Sequence, residues 1–322
     1  MRIASLLPSA TEIVWALGLD AQLVAVTHEC DHPPTAQLLP KLTRTHLPEG
    51  ATSREIDGLV RNQLAATHSL YGLDADALHR AAPDLILAQT LCAVCAVSEA
   101  DVCAATAQLP TPPRVLYLEP TRFEDVLNDI QTVAHAAGVA DRGRALVSDL
   151  YDRVHAVRAR VRIDRPPPRV CVLEWLDPPF SCGHWTPELV ALAGGIEPLA
   201  QPGERSRRLS PSEIAAADPD VLFVACCGQS VARALEDLPA FLAAPEIAGL
   251  RAVQNARVYV SDGSAYFSRP GPRLVDSLEL LAHAIDCGAH PIPPGIAPAV
   301  RWGGQQPRPG SSFRRTDLAA EA

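Results

Sequence analysis

Polar and aromatic residues gather just beyond five apolar runs of the chain. After Leu23–Val26 come Thr27, His28, Glu29, Cys30, Asp31 and His32. After Pro83–Ala88 come Gln89, Cys92 and Cys95. Trp175, Asp177, Phe180, Cys182, His184 and Trp185 follow Arg169–Glu174. Cys226, Cys227 and Gly228 follow Pro219–Ala225, and Asp262, Tyr266, Ser268 and Arg269 follow Arg257–Val260. In open α/β sheets, ligands bind outside the carboxyl ends of the strands. That rule turns the five loops into walls of one site.

Each residue type limits the chemistry. Trp175 and Trp185 offer flat faces that can stack on a large planar ligand or line an apolar wall. As a loop residue, Trp185 is expected to contribute to the pocket and not to the fold. The remaining helical tryptophan, Trp15, reads as core. His28 and His184 can ligate cobalt, iron or zinc as neutral imidazoles, or simply bond a nearby carbonyl. Cys92-x-x-Cys95 has the spacing of half a zinc site or of a redox pair, and equally of two buried thiols. Arg269 can neutralise an anionic ligand group or hold its own loop in a salt bridge. No nucleophile accompanies Glu29 and Asp31, and the chain has neither a Gly-rich phosphate loop nor a G-x-S-x-G elbow. A thiol-dependent enzyme is therefore the weakest of the readings. The ligand-binding set is His28, Glu29, Gln89, Trp175, Asp177, His184, Trp185, Tyr266 and Arg269, with Cys92, Cys95, His28 and His184 as metal candidates.

The elements that position these loops occur twice. Arg2–Leu7, Pro83–Ala88 and Arg114–Leu118 read as strands in the first half, and the runs from Arg169, Pro219 and Arg257 repeat them in the second. Ser9 with Glu12, and Ser210 with Glu213, have the spacing of helix capping boxes. Between the halves, Leu146, Leu150, Val154, Val157 and Val161 form one apolar stripe, which predicts a single stiff helix over Asp141–Arg162. Pro166, Pro167 and Pro168 stop it. The resulting expectation is an α/β fold of two Rossmann-like lobes joined by a long rigid helix. Residues 1–120 make the N-terminal lobe, 121–165 the connecting helical segment and 166–290 the C-terminal lobe. The Pro-rich stretch 291–322 is expected to be a disordered tail, dispensable for folding.

Composition sets outer limits. The 322 residues suffice for two domains, and 48% are hydrophobic. A net charge of -9 argues against nucleic acid as a partner. No apolar run approaches the roughly 20 residues of a membrane span. The N-terminus lacks the long apolar region of a secretory leader, and nine cysteines suit a reducing compartment, so a cytoplasmic location is expected.

The opening Leu7-Pro-Ser-Ala-Thr-Glu-Ile-Val-Trp-Ala-Leu-Gly18 resembles that of the class III, or helical-backbone, periplasmic binding proteins. So do the two Pro-Asp strands and the helix between the halves. The likeness covers roughly residues 1 to 288. It implies a vitamin B12/iron-siderophore ABC transporter substrate-binding type of protein, nearest to a leaderless cobalamin-binding-like branch. Members bind cobalamin, siderophores, haem or metal ions between the lobes, and most deliver them to an ABC permease. The resemblance therefore implies cobalamin as the ligand, with haem, a siderophore or a transition metal such as zinc or iron as alternatives on the same fold. The segments around His28, Cys92, Trp175, His184 and Arg269 are the ones it would place at the site. The absence of a leader departs from the transporter pattern and leaves an ABC permease partner open.

Overall fold

The computed structural model describes residues 1–45, 48, 50–67, 70–89 and 97–303. The first lobe runs β1 (Ile3–Ser5), α1 (Pro8–Ala16), β2 (Leu23–Ala25), β3 (Thr43–Thr45), α2 (Ser53–Thr67), β4 (Tyr71–Leu73), α3 (Ala75–Ala81), β5 (Leu85–Ala88), α4 (Glu99–Thr106) and β6 (Arg114–Tyr117). Every residue of β1 and β5 is buried, as unbroken apolar strands covered on both faces must be. They form a parallel sheet in the order β2-β1-β5-β6, with Ile3 opposite Leu85. Apart from it, β3 and β4 make an antiparallel pair, with α2 as their connection.

Two helices follow, α5 (Phe123–Ala136) and α6 (Ala140–Arg158). The second of them, α6, is the single connecting helix, running over 140–158 where 141–162 was expected. The chain turns at Gly138, which takes a left-handed φ of 74°, and α6 folds back on α5. Gly143 lets them touch: a Cβ there would lie 2.5 Å from the Cβ of Ala134. The buried stripe of α6 is Val147, Leu150, Val154 and Val157. Leu146 is only partly buried, and Val161 lies beyond the helix, packed against Gly194.

The second lobe runs β7 (Val170–Leu176), β8 (Pro179–Ser181), α7 (Thr186–Leu192), α8 (Pro211–Ala217), β9 (Val221–Val224), α9 (Val231–Leu242), α10 (Pro245–Ala248), α11 (Arg251–Gln254), β10 (Val258–Val260), α12 (Leu274–Ile285) and β11 (Val300–Arg301). Its sheet has the order β11-β10-β9-β7-β8, with parallel central pairs and an antiparallel strand at each edge. The two lobes keep separate sheets, as expected. Ser210 and Glu213 close the expected capping box on α8. Ser9 and Glu12 do not: α1 starts at Pro8 with Leu7 at its cap, and Glu12 is used elsewhere.

The stretch from 291 to 303 corrects the expectation of a disordered tail. Ile292, Ile296 and Ala299 pack on the core, and β11 pairs with β10. Isolated apolar residues spaced among Pro and Gly carry no helical or strand period, which is why the sequence pattern hid them. Residues 304–322 lie outside the described residues.

One apolar interior crosses the junction of the lobes. Ile3 and Leu85 of the first lobe, Ile130 and Leu150 of the connector, and Phe223 and Leu278 of the second belong to the same buried cluster. Two smaller clusters, around Ile86 in the first lobe and Leu222 in the second, are separate from it.

Candidate functional site

The first lobe contributes the loop after β2. Thr27 Oγ1 accepts from the Glu29 amide at 3.1 Å and lies 3.3 Å from Cys30 Sγ, which also contacts Thr11 Oγ1 at 3.1 Å. Cys30 is a buried thiol whose pKa is pushed up by burial, so it is an anchor of the loop. His28 is half-buried, with Nδ1 2.7 Å from Thr43 Oγ1 on β3 and its ring 5.3 Å from Tyr71 on β4. Tyr71 donates to Glu29 Oε1 at 2.9 Å. Burial lowers the His28 pKa against the opposing pull of Glu29, so the ring is neutral at pH 7. In the tautomer with the proton on Nδ1, Nε2 presents its lone pair, as a metal-ligating imidazole does. Gln89 follows β5 and is buried.

In the second lobe Trp175 stands near the end of β7, and Asp177 lies in the turn to β8. Trp175 is half-buried, and its indole N–H is shared between the Asp177 carbonyl at 3.0 Å and the Ser53 carbonyl at 3.3 Å. Trp185 is not a pocket residue. It is 7% exposed, belongs to the core that spans the lobes, and donates its indole N–H to the Phe267 carbonyl at 3.0 Å. The loop that holds it is short enough to turn the ring inward at the start of α7. Tyr266 is likewise buried, under the Arg273 guanidinium 5.7 Å from the ring centre.

His184 adopts a left-handed φ of 52°, and its amide donates to the Glu204 carbonyl at 2.6 Å. The segment 204–206 presses so closely here that a Cβ on Gly183 would sit 2.3 Å from the Ser206 nitrogen. His184 Nε2 is buried without a hydrogen-bond partner among the described residues. Burial and then the charge of Arg205 lower its pKa.

Two polar junctions tie the lobes together. The first centres on Arg269, which is 6% exposed. It pairs with both Asp31 oxygens, donates to Glu12 Oε1 at 3.1 Å and to the Glu29 carbonyl at 3.3 Å. Arg273 completes the set with Nε 2.8 Å from Glu12 Oε2. Arg269 therefore spends its donors on the loop and on α1, and the ligand-anion role expected of it gives way to the salt bridge. The second junction is the first turn of α2. Ser53 Oγ donates to Asp237 and accepts from Gln229 Nε2 at 3.0 Å and Arg233 Nη2 at 3.2 Å. Arg54 makes a bidentate pair with Asp177, at 2.7 and 3.1 Å. Asp177 is thus a partner of the first lobe, not an open ligand group. A cavity of about 590 Å³ lies beside this junction, walled by Leu176, Leu209, Phe241 and Ile247 with Arg54 and Asp237 at its edge.

His28, Glu29 and Tyr71 are thus brought together, as are Trp175 and Asp177. Among the described residues no group of three His, Cys, Asp or Glu side chains is arranged to hold a metal ion. His28 and His184 have no such set around them, and Cys92 and Cys95 lie outside the described residues. Glu12, Arg273, Thr43, Ser53 and Arg54 are site-forming residues that the motifs did not select. Glu12 had a signal, a lone carboxylate in an otherwise apolar helix. Ser53-Arg54 reads as an ordinary helix start.

No described helix is long and apolar enough to cross a membrane. The family model described as periplasmic binding protein matches residues 3–265. The vitamin B12-binding protein of Vibrio cholerae serotype O1 is 25% identical over 285 residues, 86% of each chain. A periplasmic heme-binding protein from Roseiflexus sp. RS-1, solved in apo form, superposes with a TM-score of 0.68 at 24% identity, covering 89% of this chain and 98% of that one. The periplasmic vitamin B12 binding protein of Vibrio cholerae gives 0.62 at 23%, covering 89% and 96%. The family model spans most of the chain and the solved structures share its fold, so the chain belongs to the periplasmic binding protein family.

Proposed function

We propose that this protein binds a cobalamin-like corrinoid in the cleft between its lobes and holds it without chemical change. The observation that carries the reading is the likeness to vitamin B12-binding proteins over 86% of both chains. The site is compatible with it. Trp175 supplies an aromatic surface, Gln89 a buried amide, and His28 a neutral imidazole fixed through Thr43. A few polar groups around apolar surface are what orient a large cofactor-like ligand. Titration with cyanocobalamin, haem, Zn²⁺ and Fe²⁺, followed by calorimetry and visible absorbance, tests it. One equivalent of cyanocobalamin is expected to bind. Haem binding stoichiometrically where cyanocobalamin gives no heat would pass the site to haem.

That second reading has one observation in its favour. His28 is half-buried with Nδ1 held 2.7 Å from Thr43 Oγ1, an arrangement that would let Nε2 serve as a ligand to iron. We further propose the cytoplasm as the location, since the seven described cysteines carry free thiols, which suits a reducing compartment. Cell fractionation that recovers the protein outside the inner membrane would reject this.

A further inference from the structure

We infer that the first turn of α2 competes with the ligand for the second lobe's face of the site, so that Ser53 and Arg54 set how tightly that face takes a ligand. The inference rests on the cleft reading above for its ligand, but on contacts alone for its geometry. Ligands of open α/β sheets sit at strand carboxyl ends. In the second lobe those ends are Trp175 near the end of β7 and the segment 225–229 after β9. The α2 turn from the first lobe is docked on both. Its Ser53 carbonyl takes the Trp175 indole N–H at 3.3 Å. Its Ser53 hydroxyl receives Gln229 Nε2 at 3.0 Å, and both residues are almost wholly buried by the contact.

The character of the contact is what makes it displaceable. It is polar throughout: one hydroxyl with three partners, one carbonyl, and one bidentate ion pair. The ion pair is exposed, with Arg54 at 76% and Asp177 at 42%. Exposed pairs of this kind contribute little, because water replaces each partner. Neither Ser53 nor Arg54 belongs to the apolar cluster that joins the lobes. A ligand with a broad apolar face gains by covering Trp175, and water satisfies the polar groups it displaces. When only a fraction of molecules has the turn released, the apparent dissociation constant rises by the inverse of that fraction. Weakening the turn therefore tightens binding.

The test compares wild type with the double variant Ser53→Ala, Arg54→Ala, each also made with Trp175→Phe so that the Trp175 signal is obtained by difference. Without ligand, acrylamide quenching of Trp175 is expected to rise at least twofold in the double variant, while the circular dichroism spectrum stays unchanged. With cyanocobalamin as the probe, the dissociation constant is expected to fall about threefold to tenfold. Unchanged quenching would overturn the inference, because the turn would then not cover Trp175. Weaker binding by the double variant would also overturn it, since Ser53 and Arg54 would then hold the ligand rather than compete with it. Should neither protein bind cyanocobalamin, the corrinoid reading alone falls, and the quenching comparison still decides whether the turn covers Trp175. The single variant Arg233→Ala, which loosens Ser53 from the far side, is expected to raise quenching in the same direction.

Discussion

The two junctions between the lobes are both built from charges and hydroxyls, yet they differ in what surrounds them. Around Arg269 the inner pair is sealed, with the Glu12 side chain 3% exposed and that of Arg269 7%, and only Asp31 at its outer edge meets water. Around Arg54 the partners stand in water. A buried pair that loses one member leaves an uncompensated charge in a poor solvent, whereas an exposed pair is replaced by hydration. The same chemistry thus makes a permanent clasp in one place and a releasable contact in the other. Burial decides which.

The strongest way to break this contrast is at the clasp. Glu12→Ala takes the carboxylate from Arg273, leaves Arg269 paired with Asp31, and is expected to cost ~3–5 kcal/mol of stability, read from urea unfolding. A loss below about 1 kcal/mol would make the clasp no different from the exposed contact. Trp185→Ala removes a core side chain beside the same junction, and a loss of about 3 kcal/mol is expected. If this variant kept its stability and lost only ligand affinity, the ring would be a pocket wall after all.

Acid sharpens the contrast further. Burial alone would raise the Asp31 pKa, but the bonds and charge of Arg269, then Arg273, outweigh it and hold the carboxyl below its ordinary value. A carboxyl lowered in the folded state adds stability above its unfolded pKa of about 4 and loses it as pH falls through the folded one. Asp31→Asn is therefore expected to flatten the stability-against-pH curve below about pH 4, and an unchanged curve would show that Asp31 is not held by the clasp. The smallest effect belongs to Arg54→Ala, where less than about 1 kcal/mol is expected, and 1 M NaCl should abolish the difference from wild type. A larger, salt-insensitive loss would show that the contact on α2 is a second clasp.

How much of this was legible beforehand depends on whether the information was local. The buried strands, the capping box at Ser210 and the division into two lobes follow from short patterns, and they stand. The connecting helix was legible as one apolar stripe, but its packing on α5 was not, because such a stripe looks alike in a lone rod and in a helix folded against its neighbour; Gly138 and Gly143, which make the turn and the close approach, were the residues to weigh. At the site, the strand-end rule selected His28, Gln89 and Trp175 by position alone. It could not tell Trp185 from Trp175, since both follow the same apolar run and only burial separates them: Trp185 is enclosed and donates its indole N–H to the Phe267 carbonyl, while Trp175 is half-buried. Glu12 was assigned to a cap for want of any view of Arg269, 257 residues away. Pairings at such separation have no signature in a single chain.

The apolar cluster that runs from Ile3 through Ile130 to Leu278 has a consequence for how the molecule comes apart. Two lobes with private interiors can melt in succession, each leaving the other intact. Lobes that share an interior cannot, because loosening either one wets the surface that holds its neighbour. Heating is expected to give a single calorimetric transition, with the calorimetric and van't Hoff enthalpies equal. A fragment ending at residue 120 would lack α5, α6 and the second lobe, and with them most of the shared interior. The lobes are units of architecture, and the whole chain is the unit of folding.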